Sequence, residues 1–230
     1  MGLIIHHLGH SQSDRLVWLA EELRVPYTLK KYDRSPVLSP PKLIALHPIG
    51  AAPVITDEEE DLVLAETEAC ALYILNVYGN GGGDLVVKPG EKGYAEYLYF
   101  FSFANGTLQP AIGRCMALRF SGVDEENDTL FRYQNKIKQC LEQLDRRLGK
   151  ATWLAGEKFT VADIMTVWSL TGMREFYQFD ISQFENVLGW LRRCVDRKGY
   201  KQAREKGDPD VDVEELIKGP SPLPFKALRK

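Results

Sequence analysis

Three short stretches hold residue types whose spacing could do chemistry. The first is Gly9-His10-Ser11-Gln12-Ser13-Asp14-Arg15, just ahead of an amphipathic run. A helix starting there would offer unpaired backbone N–H groups and a partial positive charge, which stabilise an anion such as a thiolate. A serine hydroxyl in the same turn can donate a hydrogen bond to a thiolate without competing as a base. Ser11 followed by Asp14 also fits a helix capping box, with Asp replacing the usual Glu, so capping and catalysis are both open for it. The second stretch is His47-Pro48-Ile49-Gly50-Ala51-Ala52-Pro53-Val54. A cis Ala52–Pro53 bond would turn the N–H and C=O of Ala52 toward an extended peptide, whereas a trans turn proline is the commoner alternative. The third is Leu64-Ala65-Glu66-Thr67-Glu68-Ala69. The Thr67 hydroxyl with helix N–H groups suits a carboxylate, and Glu66 suits an ammonium, the two charges of an α-amino acid head. The same residues also fit an ordinary cap with acidic residues favouring the dipole.

These stretches must be held by elements that the hydrophobic pattern outlines. Leu3 to His7 reads as a strand, and Asp14 to Leu23 as an amphipathic helix closed by Val25-Pro26. Tyr27 to Tyr32 alternates as a second strand. A short helix over about 42–46 follows a proline-rich loop. Val54-Ile55 and Leu62-Val63-Leu64 read as a hairpin across the acidic turn 57–61, before an apolar helix over 67–77. The order is β-α-β-α-β-β-α. Four glycines within Gly79–Gly83 then make the best break in the chain. Beyond it the strand signals stop, and helical runs are expected over about 94–120, 124–148, 161–176 and 182–204. The expected domains are 1–80, a linker over 81–92, an all-helical part over 93–206, and a mostly extended tail over 207–230 that contains prolines.

Composition narrows the classes. A chain of 230 residues with 44% hydrophobic residues can build a sizeable core without disulfide or metal staples. The formal net charge is −3, not the basic balance of a nucleic-acid binder. That figure conceals a first part, residues 1–80, with 6 Lys/Arg against 11 Asp/Glu, and a slightly positive remainder. Cys70, Cys115, Cys140 and Cys194 lie far apart without a C-x-x-C pair, so a zinc site or redox pair is not expected and a reducing compartment is. No apolar run reaches membrane-spanning length and no targeting segment is visible, so a soluble, cytoplasmic protein is expected.

Taken together, HHLGHSQSDRLVWLAEELRVPYTLKKYDR, LHPIGAAPVI and LAETEACALYIL resemble the cytosolic glutathione transferases. They are especially similar to the yeast and fungal branch, through Ser11, Ser13, Trp18 and Leu19. Phe159-Thr160-Val161-Ala162-Asp163-Ile164 looks like the family's capping box and hydrophobic staple, and Phe103 to Pro110 resembles part of its fourth helix. The resemblance covers about residues 3–205.

It implies an α/β plus all-α fold, a thioredoxin-like βαβαββα domain followed by a helical bundle. It also implies glutathione as co-substrate, no metal, no nucleic acid or membrane partner, and a homodimer. Ser11 matches the serine that stabilises the glutathione thiolate in serine-type members, with Ser13 as the competing position. Ala52, before Pro53, would pair with the cysteinyl part, and Glu66 with Thr67 would hold the γ-glutamyl head. The family often has Lys where Ala51 stands, so Lys42 and His47 are substitute partners for the glycine carboxylate by sequence proximity. Asn105 stands where relatives often have an acid. Tyr99, Phe103, Ile112, Arg114, Cys115 and Met116 are expected to line a hydrophobic electrophile site or to pack the core of the fourth helix. The implied reaction is attack of the thiolate on a small hydrophobic electrophile, a detoxifying conjugation. The alternatives are a glutathione-dependent peroxidase or isomerase, and a non-catalytic ligand-binding or interaction module.

Overall fold

The computed structural model describes residues 2–229. They form two compact units: one of residues up to Gly83 together with Val195–Asp212, the other of Asp84–Cys194 with Val213–Arg229.

The first unit is built on a four-stranded sheet in the order β2-β1-β3-β4, where β1 is Leu3–Leu8, β2 Thr28–Tyr32, β3 Val54–Asp57 and β4 Leu62–Ala65. β1 pairs parallel with β2 and antiparallel with β3. As an inner strand it is buried at every residue, which is why LIIHHL reads as an apolar run rather than an alternation. Its two histidines point to opposite faces, as successive strand residues must. His6 lies between the Tyr32 hydroxyl, 3.0 Å from Nδ1, and the Thr56 hydroxyl, 2.9 Å from Nε2. Burial, with Lys30 nearby, pushes the His6 pKa down to about 4. Helix α1 (Asp14–Leu23) ends on Arg24 in the left-handed region, where its N–H caps the last turn. A short α2 (Pro41–Ile44) places Leu43 in a small core with Leu8 and Ala52. Helix α3 (Thr67–Tyr73) continues as a wider π turn over Ile74–Tyr78.

The second unit is helical: α4 (Tyr94–Phe103), a π turn (Ala104–Leu108), α5 (Gln109–Phe120), α6 (Asp128–Leu148), α7 (Val161–Leu170) and α8 (Glu185–Val195). Asn127 caps α6 by accepting from the N–H groups of Thr129 and Leu130. The Thr160–Asp163 capping box opens α7, whose residues are all buried. Asp163 Oδ1 also accepts from the Trp190 indole at 2.8 Å and from the Leu154 N–H at 3.0 Å.

Two sequence expectations change. The run over 182–204 is not one helix. It breaks at Asp196-Arg197, and α9 (Lys198–Gly207) belongs to the first unit, packed on α1. Arg197 takes an extended backbone and forks onto Glu22, at 2.8 and 2.7 Å. Tyr200 meets Trp18 edge-on at 4.9 Å, and a Cβ at Gly199 would lie 2.7 Å from the Glu22 carboxylate, so glycine permits the close approach. Neither Gly nor Pro stands at Asp196-Arg197 itself, and the nearest glycine, Gly199, lies inside α9. The residues beyond 207 are not all extended either: Val213–Ile217 forms α10. Buried Arg174 ties that segment down by donating to the carbonyls of Leu216 and Gly219, at 2.9 and 2.8 Å.

Candidate active site

The turn from β1 into α1 is held from outside. Gly9 N–H donates to the Tyr32 carbonyl, and Arg34 donates to the carbonyls of Gly9 and His10, at 2.8 and 2.9 Å. Within it Ser11 is buried, its Oγ 2.7 Å from the Ser13 Oγ and accepting the Ser13 N–H at 3.2 Å. Ser13 immediately precedes α1, yet its side chain makes no capping bond. Its hydroxyl instead lies 3.0 Å from His7 Nδ1 and accepts the Leu8 N–H at 3.1 Å. The capping-box alternative for Ser11 fails for a specific reason: the Asp14 carboxylate is taken by Arg204, at 2.6 Å.

Gln12, between the two serines, links the three stretches singled out in the sequence. Its side-chain N–H donates to the Ala52 carbonyl at 2.9 Å, and its Oε1 accepts the Thr67 hydroxyl at 3.1 Å and an Arg15 N–H at 3.3 Å. The Ala52–Pro53 bond is cis. One face of the Ala52 carbonyl is thus occupied within the chain. Glu66 is exposed and holds φ at 71°, an uncommon conformation for a residue with a Cβ. Gln12 was not among the sequence candidates, because no residue-type rule marks a glutamine between two serines; the structure identifies it by its partners. Lys42 is exposed on α2, and His47 accepts the Ile49 N–H within its own turn.

Burial dominates the electrostatics here. Arg15, fully buried, is pushed down to about 9 by desolvation, against the opposing pull of Asp14 and Glu68. Burial also pushes the Asp14 carboxyl up, with Arg204 opposing it. Desolvation works against ionised Asp208 too, yet His7, Arg204 and the His10 N–H hold it well below the ordinary carboxylate range. His10, Asp208 and Asp210 could each offer one ligand atom within 4.8 Å of one another, but Asp208 is already committed to those three partners. A cavity of about 720 Å³ in the first unit lies at the far end of α1, beside Glu21, Tyr27, Arg197 and Lys206.

In the second unit the expected electrophile residues separate. Phe103, Ile112 and Cys115 are buried in the core, and burial raises the Cys115 thiol pKa. Tyr99 is half-exposed and stacks on Phe103 at 5.7 Å, whereas Arg114 lies over the Tyr133 ring. A cavity of about 480 Å³ includes Tyr99, with Phe100, Gln143 and Arg146, but not Phe103, Arg114 or Cys115.

Comparison with known proteins decides the family. Residues 11–76 match the glutathione S-transferase N-terminal domain, and residues 127–193 match its C-terminal domain. Glutathione S-transferase 3 of Schizosaccharomyces pombe is 30% identical over 96% of this chain and 97% of its own length. The chain belongs to the glutathione S-transferase family. A solved glutathione S-transferase from Actinobacillus pleuropneumoniae superposes with a TM-score of 0.82 at 26% identity, over 94% of this chain and 99% of that one. A glutathione transferase from Phanerochaete chrysosporium, solved with oxidised glutathione, superposes at 0.71 with 22% identity, over 89% and 94% of the two chains. The fold of this glutathione S-transferase is therefore the thioredoxin-like first domain with a helical second domain. The N-terminal match starts at Ser11 and takes in Gln12, Ala52, Pro53, Glu66 and Thr67. It leaves out His7 on β1, and neither match reaches Asp208 just past α9.

Proposed function

We propose that the chain activates the thiol of glutathione with the Ser11 hydroxyl, for attack on a small hydrophobic electrophile. The observation that carries this reading is Gln12, which joins the serine turn to Ala52 and to Thr67. Three segments that could each be an ordinary cap or turn are thereby drawn around one point. On this reading the extended tripeptide pairs with the backbone at Ala52, and its γ-glutamyl head meets Glu66 and Thr67, with Lys42 assigned to the glycine carboxylate. Unperturbed, a cysteine-type thiol titrates near about 8.5, so little is ionised at neutral pH. Lowering it by about two units corresponds to about 2.7 kcal/mol of differential interaction. One hydroxyl hydrogen bond to a charged group, together with the N-terminus of α1, can supply that.

We propose a homodimer as well. Its support is the set of large apolar side chains left exposed, including Leu72 and Val77 in the first unit and Leu98 and Phe131 in the second. Sedimentation at micromolar concentration tests it, and a monomer there refutes it.

The functional test is Ser11→Ala, assayed with glutathione and 1-chloro-2,4-dinitrobenzene. The apparent pKa of the bound thiol should rise and turnover should fall, while glutathione affinity stays nearly constant. Unchanged kinetics would remove Ser11 from the reaction. No binding of glutathione to the unaltered protein at millimolar concentration would favour a non-catalytic module.

A further inference from the structure

Behind Ser11 the structure holds a continuous buried chain of polar groups. Ser11 Oγ is hydrogen-bonded to Ser13 Oγ at 2.7 Å and Ser13 Oγ to His7 Nδ1 at 3.0 Å, while His7 Nε2 lies 3.2 Å from Asp208 Oδ2 as an ion-pair contact without hydrogen-bond alignment. The four side chains are each at most 4% exposed. They come from β1, the β1–α1 turn and the end of α9, all within the first unit. A Cβ at Gly207 would stand 3.1 Å from His7 Nε2, so the glycine that ends α9 lets that helix pass close to the imidazole.

We propose that this chain is a proton relay, through which Ser11 and Ser13 carry the proton of the glutathione thiol to His7. The proposal rests on the reading that Ser11 meets that thiol. Hydrogen-bond polarity supports it. The Asp208 carboxylate, 3.2 Å from Nε2, favours the tautomer that carries its proton on Nε2, and in that tautomer Nδ1 is the acceptor. Ser13 then donates to Nδ1, and its oxygen is left to accept the Leu8 N–H and the Ser11 hydroxyl. Ser11 accepts the Ser13 N–H and keeps one lone pair for an incoming S–H. In the transfer the thiol S–H breaks and an O–H forms on Ser11. The former Ser11 proton passes to Ser13, and the former Ser13 proton passes to His7 Nδ1. The products are a thiolate and an imidazolium paired with Asp208. Every hydroxyl now points its proton outward, so the Ser11 O–H donates to the thiolate it has created. Asp208 plays the part of an orienting carboxylate, and His7 acts through Ser13 without touching the ligand.

The charged groups around His7 fit this direction. Arg204 lies 2.6 Å from Asp14 but 3.5 Å from Asp208, so the guanidinium is held mainly by Asp14 and the Asp208 charge remains for the imidazole. Asp208 Oδ1 accepts the His10 N–H, and Arg15 lies next to Asp14 on α1. His6, the other β1 histidine, faces the opposite side of the sheet and takes no part.

The test is a proton count. Glutathione and S-methylglutathione, which has no titratable thiol, are each bound to the full chain near neutral pH, in lightly buffered solution with an indicator dye. Thiolate is followed by its ultraviolet absorbance. The relay predicts that thiolate appears with far less than one extra proton per thiolate reaching solvent, relative to S-methylglutathione. In His7→Asn, whose Oδ1 keeps a hydrogen-bond acceptor for Ser13 but cannot take up a proton, each thiolate should release its proton to solvent. At fixed pH about tenfold less thiolate should form, a rise of about one pKa unit. Asp208→Asn should shift it in the same direction. A full proton released per thiolate in the unaltered protein overturns the relay and leaves the role of Ser11 standing, and this count needs no variant. Glutathione bound without any thiolate overturns both. An unchanged thiol pKa in folded His7→Asn overturns the relay alone.

Discussion

The side chain of Gln12 donates to the carbonyl of Ala52 across 2.9 Å, from a position forty residues earlier in the chain. The same amide accepts the Thr67 hydroxyl. Gln12→Ala leaves the partly buried Thr67 hydroxyl and Ala52 carbonyl without this partner, a cost of about 1–3 kcal/mol spread over a ligand-facing surface. The expected result is a glutathione KM raised roughly tenfold with kcat changed much less. Steady-state kinetics with varied glutathione measures both. A lowered kcat at unchanged KM would show that Gln12 serves the chemical step instead of the fit of the tripeptide.

Arg204 and Asp14 tie α9 to the start of α1 through a pair exposed by less than a tenth on either side. Removing one partner of a buried pair strands the other charge, which typically costs about 3–5 kcal/mol. Arg204→Met should therefore lower the thermal midpoint by roughly 6–20 °C. Adding Asp14→Asn should recover part of the loss, since the stranded carboxylate is then gone. If the double variant is no more stable than the single one, the pair's charges are not what holds α9 in place.

His6 makes acid stability predictable in sign. Its folded pKa, about 4, lies below its ordinary value of about 6.5. Between those limits the unfolded chain binds more protons than the folded one, so stability falls as pH is lowered through this window. The full effect approaches about 3 kcal/mol by pH 4. His6→Gln, which keeps a donor and an acceptor for Tyr32 and Thr56, should flatten the dependence of the urea midpoint on pH between 6.5 and 4. An equally steep dependence in the variant would assign the acid loss to other groups.

Much of the architecture was legible beforehand because it rests on local physics. Strand and helix periodicity, the acidic hairpin turn and the Thr160–Asp163 box are set by neighbours within a few residues, and they appear at nearly the expected places. The helix break at Asp196-Arg197 was not legible. Arg197 at the break is held by Glu22, 175 residues earlier, and no short-range rule carries that distance.

The three stretches that suggested chemistry also came from the sequence, as separate motifs each with an ordinary structural alternative. Residue types alone determined that serine, proline, glutamate and threonine were available, and that none of the four cysteines lay in the first turn. Only the tertiary structure shows which partners these residues have. It turned Asp14 to Arg204, which removed the capping box from Ser11. It set Gln12 between Ala52 and Thr67, and it placed His7 and Asp208 in line behind Ser13. The physical reason is that a hydrogen-bond partner is fixed by position in space to within a few tenths of an ångström. His7 and Asp208 lie about two hundred residues apart in sequence, and the packing of α9 on α1 brings them to 3.2 Å.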